Sequence, residues 1–194
     1  MLRAKFAGLM NKDPFEAESV PPDHAGWTTW AVAEERRRLG WAFFVFDTQN
    51  SALFRHALMI QCYDMKLDLP CPDVLWRSST AHSWALTSNE IEGTPSSFRV
   101  ALRELASQNT IRADTSDFGS MILVHGLLSV SWTLMFRDMG DLSSKRLDCV
   151  GVALSMCSVV SEGRISGWKD SMTRAFAAWC GLCLYLLEVA KDLL

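Results

Sequence analysis

The sequence predicts an all-α fold, a bundle of about six to seven helices. Three observations lead there: apolar residues recur at spacings of three and four, no stretch alternates convincingly at period two, and capping or helix-breaking residues separate the apolar runs. A chain of 194 residues suits one ordinary domain or a large piece of a bigger one. Hydrophobic types make up 49% and include 8 Trp and 10 Phe, enough for a substantial core. This composition excludes a disordered tail, a collagen-like repeat and a disulfide-dense mini-protein.

Residues 1–26 read as a linker or disordered arm, because Pro14, Pro21, Pro22 and Gly26 interrupt any period. Residues 27–194 read as the all-α domain. Its first helix spans 27–54, opened by Thr28 or Thr29 as N-cap, with Glu34 and Glu35 early on. Trp30, Ala33, Arg37, Trp41, Phe44 and Thr48 share one face. Glu34 and Arg38 stand four apart in the favourable order. The run 39–46 carries no charge on any side, which predicts burial on several sides. A connector follows over 55–72, ending in Asp68-Leu69-Pro70-Cys71-Pro72-Asp73, where two prolines forbid a helix. Asp73 is placed to cap a short helix running through Leu75 and Trp76 toward Trp84.

Thr94-Pro95 reads as an N-cap with proline at the first helical position. Phe98, Leu102 and Leu105 form the apolar stripe of that helix. A long apolar helix is predicted over 117–139, ended by Gly140. Its uncharged run, 118–136, has the length of a membrane span. Gly119, Ser120, His125, Gly126, Ser129, Ser131 and Thr133 dilute its transfer free energy, so a buried helix is the reading. Ser143 or Ser144 opens another helix, with Leu147, Val150, Leu154 and Cys157 inward. Ser166 caps the last, which carries Trp168, Met172, Ala175, Phe176, Trp179, Leu182, Leu186 and Val189.

Nineteen basic and 22 acidic residues give a net charge of −3, so the chain has no concentrated positive footprint with which to grip nucleic-acid phosphates. The first residues lack the apolar core of a signal peptide, and reduced thiols in the cytosol or nucleus are expected. His24, His56, His82 and His125 form no helical metal motif, and His125 reads as a core histidine satisfied by a carbonyl or hydroxyl. Cys180 and Cys183 have ligand spacing, but two cysteines supply half a tetrahedral zinc shell and fall mid-helix, which favours packing. No phosphate-binding glycine loop or nucleophile elbow is present. The chain is expected not to be an enzyme. The alternative is a helical magnesium-dependent enzyme using Asp64, Asp68 and Asp73, whose carboxylates would have to converge across the proline breaks.

The run from Glu34 through Arg37, Arg38, Trp41, Phe44 and Asp47 to Ser51 resembles the central motif of the fungal-specific transcription factor regulatory domain, the middle homology region. The following Asp68, Leu69 and Pro70, leading to Trp76 and Trp84, are similar to the continuation in members attached to two-Cys, two-His zinc fingers. Residues 118–128 resemble the next helix of that subgroup. The resemblance rests on residues 27–138 and takes in the remainder more loosely. Two departures are local: Gly40 replaces a common bulky residue, and residues 55–58 stand where the family often has proline.

The resemblance implies a nuclear regulatory domain without a cofactor of its own. DNA binding and zinc binding would reside in a module outside these residues. The chain would be the C-terminal portion of the regulatory region, as a fragment, a truncated product or a stand-alone relative. Its partners would be proteins or the remaining half of that region, with self-association through exposed apolar surface and no membrane contact. The motif residues are expected to be fold-defining contacts and not a ligand site. Arg37 and Arg38 can stack on rings or fork onto carboxylates, and Asp47 in an apolar helix needs a partner.

Overall fold

The computed structural model describes residues 23–54, 56–91, 97–108, 111–112 and 114–137. Among them are five helices: α1 (His24–Phe54), α2 (Asp73–Trp76), α3 (Ala81–Glu90), α4 (Phe98–Gln108) and α5 (Asp117–Arg137). The only strand-like feature among these residues is an isolated antiparallel bridge between Asp68 and Ser97. The all-α prediction therefore holds. The helices expected after Ser143 and Ser166, the Thr94-Pro95 cap, the Gly140 stop and the Cys180/Cys183 pair lie outside the described residues.

α1 begins three residues earlier than the sequence suggested. Its cap is Asp23, whose Oδ1 accepts the Gly26 N–H at 2.8 Å. Thr28 and Thr29 are not caps: already inside the first turns, their hydroxyls donate to the carbonyls of His24 and Ala25, both at 2.8 Å. Trp41, Phe44 and Thr48 are buried on the predicted face. The expectation of burial on several sides over 39–46 is corrected, because Leu39, Ala42 and Phe46 are exposed. Their spacing sets them opposite Trp41 and Phe44, and absence of charge does not by itself specify which way a side chain faces.

The single short helix expected from Asp73 toward Trp84 is two helices. Pro72 occupies the cap position of α2 without a side-chain cap, and Asp73 is its first helical residue. A new start follows at Thr80, whose Oγ1 accepts the Ser83 N–H at 3.1 Å while the Ser83 hydroxyl accepts the Thr80 N–H at 3.4 Å. This reciprocal box places Trp84 on α3. α5 is opened by Ser116, whose Oγ accepts the Gly119 N–H at 3.0 Å.

α1 packs on α5 and α3, α4 packs on α5, and α2 on α3. The core combines Trp41 and Phe44 from α1, Met65, Leu67 and Leu69 from the connector, Phe98 and Leu105 from α4, and Ile122, Leu123, Val124 and Leu127 from α5. At its centre the Trp41 and Phe98 rings lie 4.6 Å apart, with Phe44 set edge-on to both. α5 approaches α4 closely at Gly126, where a Cβ would stand 2.9 Å from Leu102 Cδ1 and 3.0 Å from Phe98 Cζ. Among the described residues no helix is long and apolar enough to cross a membrane. The uncharged face of α5 is core: Ile122 to Leu127 are all buried.

Candidate functional site

The connector between α1 and α2 has little regular hydrogen bonding of its own, so its backbone groups need partners from elsewhere. α1 supplies them in register. Glu34, completely buried, accepts from Arg37 Nη1, from Arg38 Nε at 2.9 Å and from the Cys71 N–H at 3.0 Å. Arg38 spans the junction: its Nη2 donates to the Cys71 carbonyl at 3.1 Å and stands 3.7 Å from Asp73 Oδ1. Its guanidinium lies 4.6 Å from the centre of the Trp76 ring, within cation–π range. One turn further, Trp41 Nε1 donates to the Asp68 carbonyl at 2.9 Å.

Asp47 Oδ2 accepts the N–H groups of Met59 at 2.9 Å and Ile60 at 2.8 Å. Ser51 is buried, with its Oγ 3.2 Å from His56 Nδ1. Leu69 and Pro70 are buried beside Trp41, and Asp68 bridges to Ser97. The structure thus brings Arg37, Arg38, Trp41, Asp47, Ser51, Asp68, Leu69, Pro70 and Trp76 to one junction, with Phe44 beneath in the core. What spacing alone did not disclose is the role of Glu34 and Cys71. The i, i+3 and i+4 relation of Glu34 to the arginines was legible; that its carboxylate also holds a backbone amide 37 residues on was not.

The ionisable groups here are set for structure. Burial, with the Glu34 charge adding to it, pushes the Cys71 thiol up to about 12, and burial also raises Cys62. Both remain thiols at neutral pH, so neither is an activated nucleophile. His125 on α5 is held by burial at about 4 and is neutral at pH 7. Its Nδ1 donates to the Met121 carbonyl at 2.8 Å, leaving Nε2 to accept from Gln49 Nε2 at 3.1 Å. This is the carbonyl-satisfied core histidine that the sequence suggested.

The three aspartates of the magnesium alternative stand in different settings. Asp64 is exposed, Asp68 is half-buried, and the Asp73 carboxylate stands 3.7 Å from Arg38. No group of three or more His, Cys, Asp or Glu among the described residues could hold a metal ion.

The chain is similar to the nicotinate catabolism cluster-specific transcription factor of Emericella nidulans, 26% identical over 155 residues, covering 79% of this chain and 16% of that protein. It is also similar to zinc finger protein klf1 of Schizosaccharomyces pombe, 27% identical over 140 residues, 69% of this chain and 18% of that protein. A transcription factor of Gibberella fujikuroi is 26% identical over 106 residues, covering 54% and 14%. The chain therefore spans less than a fifth of the length of these relatives. No solved structure matches it significantly. The sequence profile of the fungal specific transcription factor domain matches residues 4–181, and on that extent the chain belongs to the fungal specific transcription factor domain family.

Proposed function

We propose that this chain serves as a regulatory domain within a nuclear fungal transcription factor and governs RNA polymerase II transcription through protein contacts, while a separate zinc-dependent module contacts DNA. The observation that carries this reading is the family match over residues 4–181. The net charge of −3 supports the same division of labour, since DNA affinity draws largely on neutralising phosphates with Lys and Arg. The junction between α1 and the connector supports a scaffolding role for the motif: its polar groups are turned mostly onto backbone and onto one another.

The test is a fusion of the full chain to an unrelated DNA-binding module in a fungal reporter strain. Reporter output is expected to rise or fall at least several-fold against the module alone, and the isolated chain is expected not to retard duplex DNA at physiological salt. A well-expressed nuclear fusion that leaves output unchanged would refute the regulatory role. Tight salt-sensitive binding of the isolated chain to duplex DNA would refute the division of labour.

A further inference from the structure

The chain leaves the core at Asp68 and returns to it at Ser97, and an antiparallel bridge joins these two residues. Both ends are anchored there. Leu69 and Phe98 lie in the core cluster, and the Glu34 carboxylate holds the Cys71 N–H. Between the anchors stand α2 and α3. Their buried residues, Leu75 and Trp84, fall outside the cluster centred on Trp41 and Phe98. An excursion that starts and ends at one point can move without pulling on the core that holds its ends.

The pair carries its own internal bonding. The Arg77 N–H donates to the Asp73 carbonyl at 3.0 Å, and the Ser78 N–H donates to the Leu75 carbonyl at 3.2 Å. α3 has its reciprocal Thr80–Ser83 cap. None of these bonds involves α1. The attachment to α1 is made by side chains instead: the Trp30 ring lies 5.5 Å from that of Trp84 and 6.3 Å from that of Trp76. Trp76 also covers the Arg38 guanidinium. Arg38 is fixed separately by Glu34 and the Cys71 carbonyl, so it keeps its place whether or not Trp76 rests on it. Closure has a cost as well. Trp84 is 5% exposed, and its Nε1 is buried with no hydrogen-bond partner among the described residues. A buried donor without an acceptor opposes the packing that buries it.

We propose that α2 and α3 form a flap that opens from α1 as one body while the core stays folded, with Trp30 and Arg38 as its latch. Opening keeps the hydrogen bonds inside the flap, returns the Trp84 indole N–H to water and uncovers the Trp30 ring. Closing regains the ring contacts and the cation–π contact. The two states are therefore nearer in free energy than the folded and unfolded core, in which all the large side chains of the central cluster would have to part. This proposal goes beyond the regulatory reading and does not depend on it.

The test is native-state hydrogen exchange of the full chain, read by mass spectrometry over a series of low denaturant concentrations. Protection factors within 73–90 are expected at least ten-fold below those within 119–127. The amides of α2 and α3 are expected to share one denaturant slope, smaller than that of α5 but above zero, as an opening of intermediate size requires. Equal protection in the two regions, a zero slope in α3, or different slopes for α2 and α3 would overturn the proposal. The latch is tested by Trp76→Ala, a change at a half-exposed ring outside the core cluster. Protection within 81–90 is expected to fall at least five-fold further, with 119–127 unchanged. Trp30→Ala, measured in the same way, is expected to act alike from the other side of the contact. For either variant, unchanged protection in 81–90 or an equal fall in both regions would overturn the proposal.

Discussion

Replacing Asp47 separates the charge of a buried carboxylate from its geometry as an acceptor. A single oxygen, Oδ2, receives the N–H groups of both Met59 and Ile60, where the chain turns back along the helix it has just left. In Asp47→Ala both amides lose that partner. The Ile60 amide is buried and bears the full penalty of an orphaned donor, about 1–3 kcal/mol. Met59 is exposed, and its amide recovers much of its bond from water. The expected total is about 2–4 kcal/mol of stability.

In Asp47→Asn the amide oxygen can take the position of Oδ2 and accept both bonds. What is lost is the difference between a charged and a neutral acceptor, about 1–2 kcal/mol. Denaturant unfolding of the full chain, read at equal m-values, measures both. Asparagine as damaging as alanine would show that charge, not the acceptor, is what α1 supplies. Alanine within ~0.5 kcal/mol of wild type would show that the two amides have other partners.

Two further outcomes are expected. Glu34→Ala removes a buried carboxylate that holds two guanidiniums and a backbone amide, and should cost about 3–5 kcal/mol in the same denaturant assay. The value should fall toward the lower end because Arg37 and Arg38 are 18% and 15% exposed and can rehydrate, and an unchanged midpoint would refute the clamp. His125 titrates near 4 when folded and near 6.5 when unfolded, so between these values the unfolded chain binds the additional proton. Its contribution is complete above pH 6.5 and declines as pH falls toward 4, by on the order of 3 kcal/mol. His125→Gln should flatten that part of the stability profile relative to wild type, and parallel profiles would refute it.

The inward face of α1 was legible because Trp41, Phe44 and Thr48 obey the helical period, and a core contact there depends on spacing alone. The outward turn of Leu39 and Phe46 was not, since an uncharged run carries no signal for direction. The start of α1 was misplaced because several side chains could compete for the cap: Asp23 takes it, and Thr28 and Thr29 bond back to carbonyls. The break between Trp76 and Trp84 was hidden because Ser83, not an acidic residue, closes the capping box at Thr80. At the junction, the motif gave the members but not their pairings. Arg38 meets Cys71 across 33 positions and Asp47 meets Ile60 across 13, and no local rule of periodicity reaches that far.

The pairings also explain why this helix carries so many polar groups on its buried side. Prolines at 70 and 72 hold the connector extended and deprive it of two amide donors, so the remaining donors and acceptors cannot form a helix or a ladder. α1 answers several of them with a side chain of the opposite kind: carboxylates of Glu34 and Asp47 for N–H groups, Arg38 and the Trp41 indole for carbonyls. α4 and α5 answer others, Arg99 donating to the Tyr63 carbonyl, Trp132 to the His56 carbonyl, and Ser129 accepting the Cys62 N–H. Peptide groups have fixed polarity. An isolated ion pair could exchange its charges and survive, but exchanging Glu34 with Arg38 would set a guanidinium against the Cys71 N–H and a carboxylate against the Cys71 carbonyl. The order of acid, arginine, tryptophan and acid along α1 is therefore dictated by the backbone it holds, which ties the motif to the path of the connector before any partner is considered.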